Sequence, residues 1–116
     1  MTHNKNSLTL LSVAALRARR SALFKRMPDA RDVIQGAVQH QFRKCGREGC
    51  RCAQGELHGP YVYLAGRGKE RRGMVYVPAD AVQVVEKRVE VARRIEEVLS
   101  EISAINLELL ARGDLD

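Results

Sequence analysis

The sequence predicts an α+β protein: an N-terminal helix, a small antiparallel β-sheet with a zinc loop, and a long C-terminal helix. Three observations carry this. An alanine- and leucine-rich stretch stops at Pro28, two alternating apolar segments flank a basic glycine-containing turn, and no glycine or proline interrupts the chain between Pro78 and Gly113. With 116 residues, no Trp and few aromatic residues, the chain suits one modest aliphatic core. A core of that size gains from a staple, such as a metal ion or a second subunit.

Residues 1–6 are polar and are expected to form a disordered tail. Ser7 can cap a helix running to about Arg26, in which Leu8, Leu11, Ala14, Ala15, Ala18 and Ala22 supply good helix formers three or four apart. Pro28 and Asp29 end it. From Val33 to Lys44, Val33, Ile34, Val38 and Phe42 favour a strand, with a bend or bulge at Gly36. Residues 45–60 are rich in turn formers. Tyr61 to Ala65 and Arg71 to Val77 then read as the strands of a hairpin whose basic tip contains Gly66, Gly68 and Lys69. Alternation puts Val62 and Leu64 on one face of the first strand and Tyr61 and Tyr63 on the other. Val75 and Val77 oppose Met74 and Tyr76 in the same way. The register across the turn stays open, and the tyrosine face is expected to pack under a helix.

Pro78 suits the first position of a helix, and Asp80 favours its positive end. A helix over 79–112 would extend about 50 Å, well beyond the radius of gyration of about 13–14 Å of a compact domain this size. Along it, Val91, Ile95, Val98, Ile102, Ile105 and Leu109 follow a heptad seam. The organisation expected is therefore a tail (1–6), an N-terminal helix with a zinc-loop and hairpin module (7–78), and a long helix (79–116). The N-terminal helix covers only part of the seam, so a homodimer through the C-terminal helix is expected. An intramolecular helical hairpin is the alternative.

The formal net charge of +6 divides into +5 on residues 1–42, +5 on 43–72 and −4 on 73–116. A basic front suggests a polyanionic partner, with nucleic acid ahead of anionic lipid. The stretch Leu8 to Leu16 resembles a signal-peptide core, yet Arg17, Arg19 and Arg20 follow at once with no small-residue cleavage site. The lack of acidic residues in 1–28 fits an organelle transit peptide or a basic helix equally. No apolar run reaches the roughly 18–20 residues of a membrane span. A cytoplasmic protein with no membrane partner is expected.

The three cysteines fall within eight residues, in Cys45-x4-Cys50-x-Cys52-x5-His58. An odd, clustered set argues for metal over a disulfide framework. Three thiolates and one imidazole form a common tetrahedral zinc set, although the Cys-x-Cys step departs from a standard finger. Glycines at 46, 49 and 55 let a short chain wrap one ion, and the charges of Arg43, Lys44, Arg47 and Arg51 suit anionic ligands. One structural Zn2+ on Cys45, Cys50, Cys52 and His58 is expected, with His40 as the alternative fourth ligand. An iron–sulfur cluster is disfavoured because four cysteines are the rule. No nucleophile, base and orienting group occur together, so no enzymatic activity and no catalytic residue are expected.

Cys45-Gly46-x3-Cys50-x-Cys52, His58-Gly59-Pro60-Tyr61-x-Tyr63-Leu64, Gly68-Lys69-x-Arg71 and Tyr76-Val77-Pro78 together resemble an uncharacterised family of short bacterial and archaeal proteins often found near mobile elements. The resemblance runs from about Gly36 to the C-terminus, with a similar N-terminal helix. Ala65-Gly66 stands where a bulkier pair is expected. The resemblance implies that Cys45, Cys50, Cys52 and His58 act as one unit, and it implies no activity.

The function expected is that of a nucleic-acid-binding accessory, with DNA favoured over RNA. Arg43, Lys44, Arg47 and Arg51 around the loop, with Arg67, Lys69, Arg71 and Arg72 at the hairpin, would meet phosphates. Tyr61, Tyr63 or Tyr76 could stack on bases if their face is open. The alternative is a protein-interaction adaptor with a purely structural zinc loop.

Overall fold

The computed structural model describes residues 8–116, and the side chains of residues 52 and 53 lie outside that description. The expected tail and the Ser7 cap also lie outside the described residues. The elements are α1 (Val13–Lys25), β1 (Gly36–Arg43), β2 (His58–Arg67), β3 (Arg72–Val77) and α2 (Val82–Ala111), with short 3-10 turns at Arg51–Gln54 and Ala79–Ala81. The fold is thus α+β, with an N-terminal helix, an antiparallel sheet and a long C-terminal helix, as the sequence predicts. Two compact units divide the chain: Arg31–Ala92, and Met1–Ala30 with Arg93–Asp116.

In the first unit the strands pair antiparallel in the order β1-β2-β3. The register sets Val38 opposite Leu64, Leu64 opposite Val75 and Val62 opposite Val77. These residues share one face, because directly opposed residues and alternate residues of a strand point the same way. Val62, Leu64 and Val77 are buried there with Val89 of α2, and Ile34, Val38, Val82 and Val85 border them. The tyrosines occupy the other face. Tyr76 is 55% exposed and Met74 49% exposed, so this face is open. The expectation that the tyrosines pack under a helix is therefore corrected. The first turns of α2 cover the aliphatic face, whose burial leaves no phenolic hydroxyl to satisfy.

β2 begins at His58, three residues before the expected start. The β1–β2 ladder continues through an irregularity between Gln41 and Arg43 and ends by pairing Arg43 with His58. The hairpin closes between Arg67 and Arg72, which face each other across its four-residue tip.

In the second unit, Leu16 and Leu23 of α1 are buried against Ile105 and Leu109 of α2. Leu8, Leu11, Val13, Val98 and Ile102 surround them. The helices run antiparallel: Arg112 donates to the Leu8 carbonyl at 3.0 Å, and Arg20 donates to Asn106 Oδ1 at 2.7 Å. The C-terminal half of the heptad seam is thus filled by the chain's own α1, the arrangement of an intramolecular helical hairpin. α1 starts at Val13 because Ser12 Oγ accepts the Ala15 amide at 3.0 Å, a side-chain N-cap. At the same end of the hairpin, just past α2, Gly113 adopts a φ of +76°. The Gly113 and Asp114 amides then bond the Leu110 and Leu109 carbonyls at 3.0 and 2.8 Å, a Schellman stop that satisfies the last turn of α2.

Pro78 precedes the 3-10 turn in an extended conformation, so α2 proper begins at Val82. Among the described residues, no helix is long and apolar enough to cross a membrane.

Candidate metal centre

The fourteen residues between Arg43 and His58 form a loop whose ends are pinned by the last pair of the β1–β2 ladder. That pair sets His58 beside the strand from which the chain leaves toward Cys45. Within the loop the Cys50 amide bonds the Arg47 carbonyl at 3.4 Å, and the Glu56 amide bonds the Arg51 carbonyl at 3.3 Å. The 3-10 turn Arg51–Gln54 lies between these two closures. A loop of this length offers few apolar side chains to bury, so something other than packing must hold its shape.

Three side chains converge in it. His58 Nε2 lies 3.1 Å from Cys50 Sγ and 3.3 Å from Cys45 Sγ. The three donor atoms all lie within 4.8 Å of one another. Around a tetrahedral zinc with ordinary bond lengths, sulfur and nitrogen ligands would sit roughly 3.6 Å apart. The observed separations are a few tenths of an ångström shorter, so a small outward movement would admit the ion. Cys45, Cys50 and His58 therefore lie close enough to hold a metal ion. Two thiols and an imidazole suit a borderline or soft transition metal rather than calcium or magnesium.

Cys52 lies on the 3-10 turn two residues beyond Cys50, and its side chain is outside the described residues. His40 is not among the converging side chains. It sits on β1 opposite Val62, within the ladder and not in the loop.

The predicted cationic residues divide by environment. All eight are exposed: Arg43, Lys44, Arg47 and Arg51 near the loop, and Arg67, Lys69, Arg71 and Arg72 at the hairpin. Arg51 makes a solvent-exposed pair with Glu56 at 3.6 Å. Arg43 is held more closely. Its guanidinium carbon lies 4.5 Å from the Tyr61 ring centroid and 5.7 Å from that of Tyr63, and it donates to the Tyr63 hydroxyl. Arg43, Lys44, Cys45, His58 and Tyr61 line a recess between the Cys–His cluster and the tyrosine face. Sequence reasoning assigns Arg43 to phosphate and misses its stacking. The polar alternation of Gln39 and Gln41 along β1 is the available signal, since the register sets these residues opposite Tyr63 and Tyr61, although the irregularity before Arg43 is not visible in it.

Two arginines of α1, Arg17 and Arg20, are engaged elsewhere. Arg20 bonds both Asp116 carboxylate oxygens, at 2.7 and 3.1 Å, and Arg17 lies 3.6 Å from Asp116. Part of the basic front is thus neutralised by the acidic C-terminus. The hydrogen bond from Arg20, together with a backbone hydrogen bond, lowers the Asp116 carboxyl to about 2.

The family model described as a domain of unknown function (DUF6788) matches residues 13–87. The match takes in α1, the whole sheet with its cysteine loop, and the start of α2. No curated protein and no solved structure matches the chain.

Proposed function

From a chain that belongs to the DUF6788 family, a domain of unknown function, we propose a nucleic-acid-binding accessory protein whose cationic loop is shaped by one structural zinc. Cys45, Cys50 and His58 would supply three ligands. Cys52 would supply the fourth, closing the tetrahedron so that no position is left for catalysis. The observation that carries this reading is the placement of the cations. Eight exposed Lys and Arg residues belong to one unit, on its metal loop and hairpin, and residues 43–72 carry a net +5. Side chains of this kind bind phosphates with affinity but little sequence preference. None of the residues in the three strands is acidic, so no strand carboxylate opposes the approach of a polyanion.

The test is the salt dependence of binding to fluorescently labelled, nonspecific oligonucleotides. Affinity should fall steeply as salt rises from low concentration. Changing Arg67, Lys69, Arg71 and Arg72 together to Gln should weaken binding and flatten the dependence of log affinity on log salt, by about 0.9 for each duplex phosphate no longer neutralised. Absence of binding at low salt would remove the reading.

A second reading, a protein-interaction adaptor that binds another protein through the C-terminal helix, has one observation in its favour. Leu99, Leu107 and Leu110 of α2 are each more than half exposed. Apolar side chains grouped on one surface helix commonly mark an interface. Under this reading the zinc loop is structural only, the arginines are solvated, and oligonucleotide binding is absent even at low salt.

A further inference from the structure

We infer that the nucleic acid this protein takes is single-stranded, and that its bases stack on the open tyrosine face of the sheet. This rests on the nucleic-acid reading above and adds the strandedness and the residues that read it.

The register fixes what that face presents. Arg67 opposes Arg72, Ala65 opposes Met74, and Tyr63 opposes Tyr76, while Gln39 and Gln41 oppose Tyr63 and Tyr61. Arg43, beyond the ladder irregularity, comes over the same side, because its guanidinium lies over Tyr61. One face therefore carries cations at both ends, aromatic rings between them, and glutamine amides along its β1 edge. From the Tyr61 end to the Arg67 end is about 20 Å of strand. That is room for roughly two or three bases, the number that four-stranded RNA-binding sheets stack on their aromatic residues.

Three features favour a single strand over a duplex. First, aromatic rings on a flat sheet can stack only on bases that are already unstacked from their neighbours. Second, Tyr63 and Tyr76 meet edge to face, with centroids 5.6 Å apart and rings inclined at 67°. They are not stacked on each other, and Tyr76 is 55% exposed. Third, Arg43 already covers Tyr61, so the outward surface of its planar guanidinium can itself receive a base while its charge remains near the phosphates. No side chain on this face that belongs to a strand is acidic, so its charge complements a nucleic-acid backbone along its whole length.

The chain contains three Tyr and no Trp, and all three tyrosines lie on this face. Intrinsic tyrosine fluorescence therefore reports on it alone. The full-length, metal-loaded protein is titrated at low salt with oligothymidylate, with a duplex of equal length, and with vesicles of anionic phospholipid. Oligothymidylate should quench the tyrosine emission and bind at least tenfold more tightly than the duplex. Tyr76→Ala should weaken single-strand binding about fivefold or more and leave duplex binding unchanged, and Tyr76→Phe should retain it. Duplex binding as tight as single-strand binding, with Tyr76→Ala silent, overturns this inference and leaves the nucleic-acid reading standing. Binding to neither oligonucleotide overturns both, and binding to the vesicles alone does the same in favour of a lipid surface.

Discussion

Arg43 and Arg20 are both basic residues of the N-terminal half, yet their surroundings give them different work. Arg43 stacks on Tyr61 and bonds Tyr63, an arrangement that fixes a planar cation at the edge of an open sheet. Arg20 bonds Asp116 and Asn106 within the helical unit and holds the C-terminus in place. The sequence counts both as charge, because charge is legible in composition while its partner is a matter of tertiary placement. The Arg20–Asp116 pair has a direct test. The folded carboxyl titrates at about 2 against an ordinary value of 3.8, so the contribution of this pair is complete above about pH 4 and lost as pH falls toward 2. An NMR titration of Asp116 should show this low value, and Arg20→Gln should return it toward 3.8. An unchanged titration in the variant would show that the pair does not set it.

Among the elements, the strands were legible and their ends were not. Alternation correctly separates Val62 and Leu64 from Tyr61 and Tyr63, since a pleated strand admits no other division. Which face the helix would cover was not legible, because both faces carry large side chains. It is settled by the aliphatic set on all three strands and α2. Helix ends depend similarly on local chemistry. Gly113 is visible as a stop, whereas two serines near the start of the helix can each cap, and composition does not single out Ser12 over Ser7.

At the start of β2, Gly59 has a φ of +133°, and a Cβ there would lie 2.6 Å from the Gln41 carbonyl oxygen. Its conformation sets the position of the neighbouring His58. Gly59→Ala should cost about 1–3 kcal/mol of stability and weaken metal binding as well, as measured by thermal unfolding and by competition with a chelator. A variant with unchanged melting temperature and metal affinity would detach the ligand geometry from this glycine.

For the whole molecule, the α+β order and the grouping of Cys45, Cys50 and His58 could both be read from the chain, for a shared reason. Spacing along the sequence already limits what a helix, a strand or a short metal loop can do. The partnership of α1 with the far end of α2 was harder to see. The same heptad seam accepts a helix from its own chain or from another, and spacing alone does not say that Leu16 and Leu23 fill its Ile105 and Leu109 end. The cysteine loop is where sequence, fold and proposed function meet, since it holds Cys45 and Cys50, carries or adjoins four of the cations, and borders the tyrosine face.

The decisive experiment is the metal content of the purified protein, taken together with its melting temperature before and after chelation. One zinc per chain is expected, lost in Cys45→Ser and His58→Ala, with a lower melting temperature once the metal is withdrawn. A folded protein that carries no metal, and whose melting temperature neither chelator nor added zinc moves, would refute a metal-shaped loop.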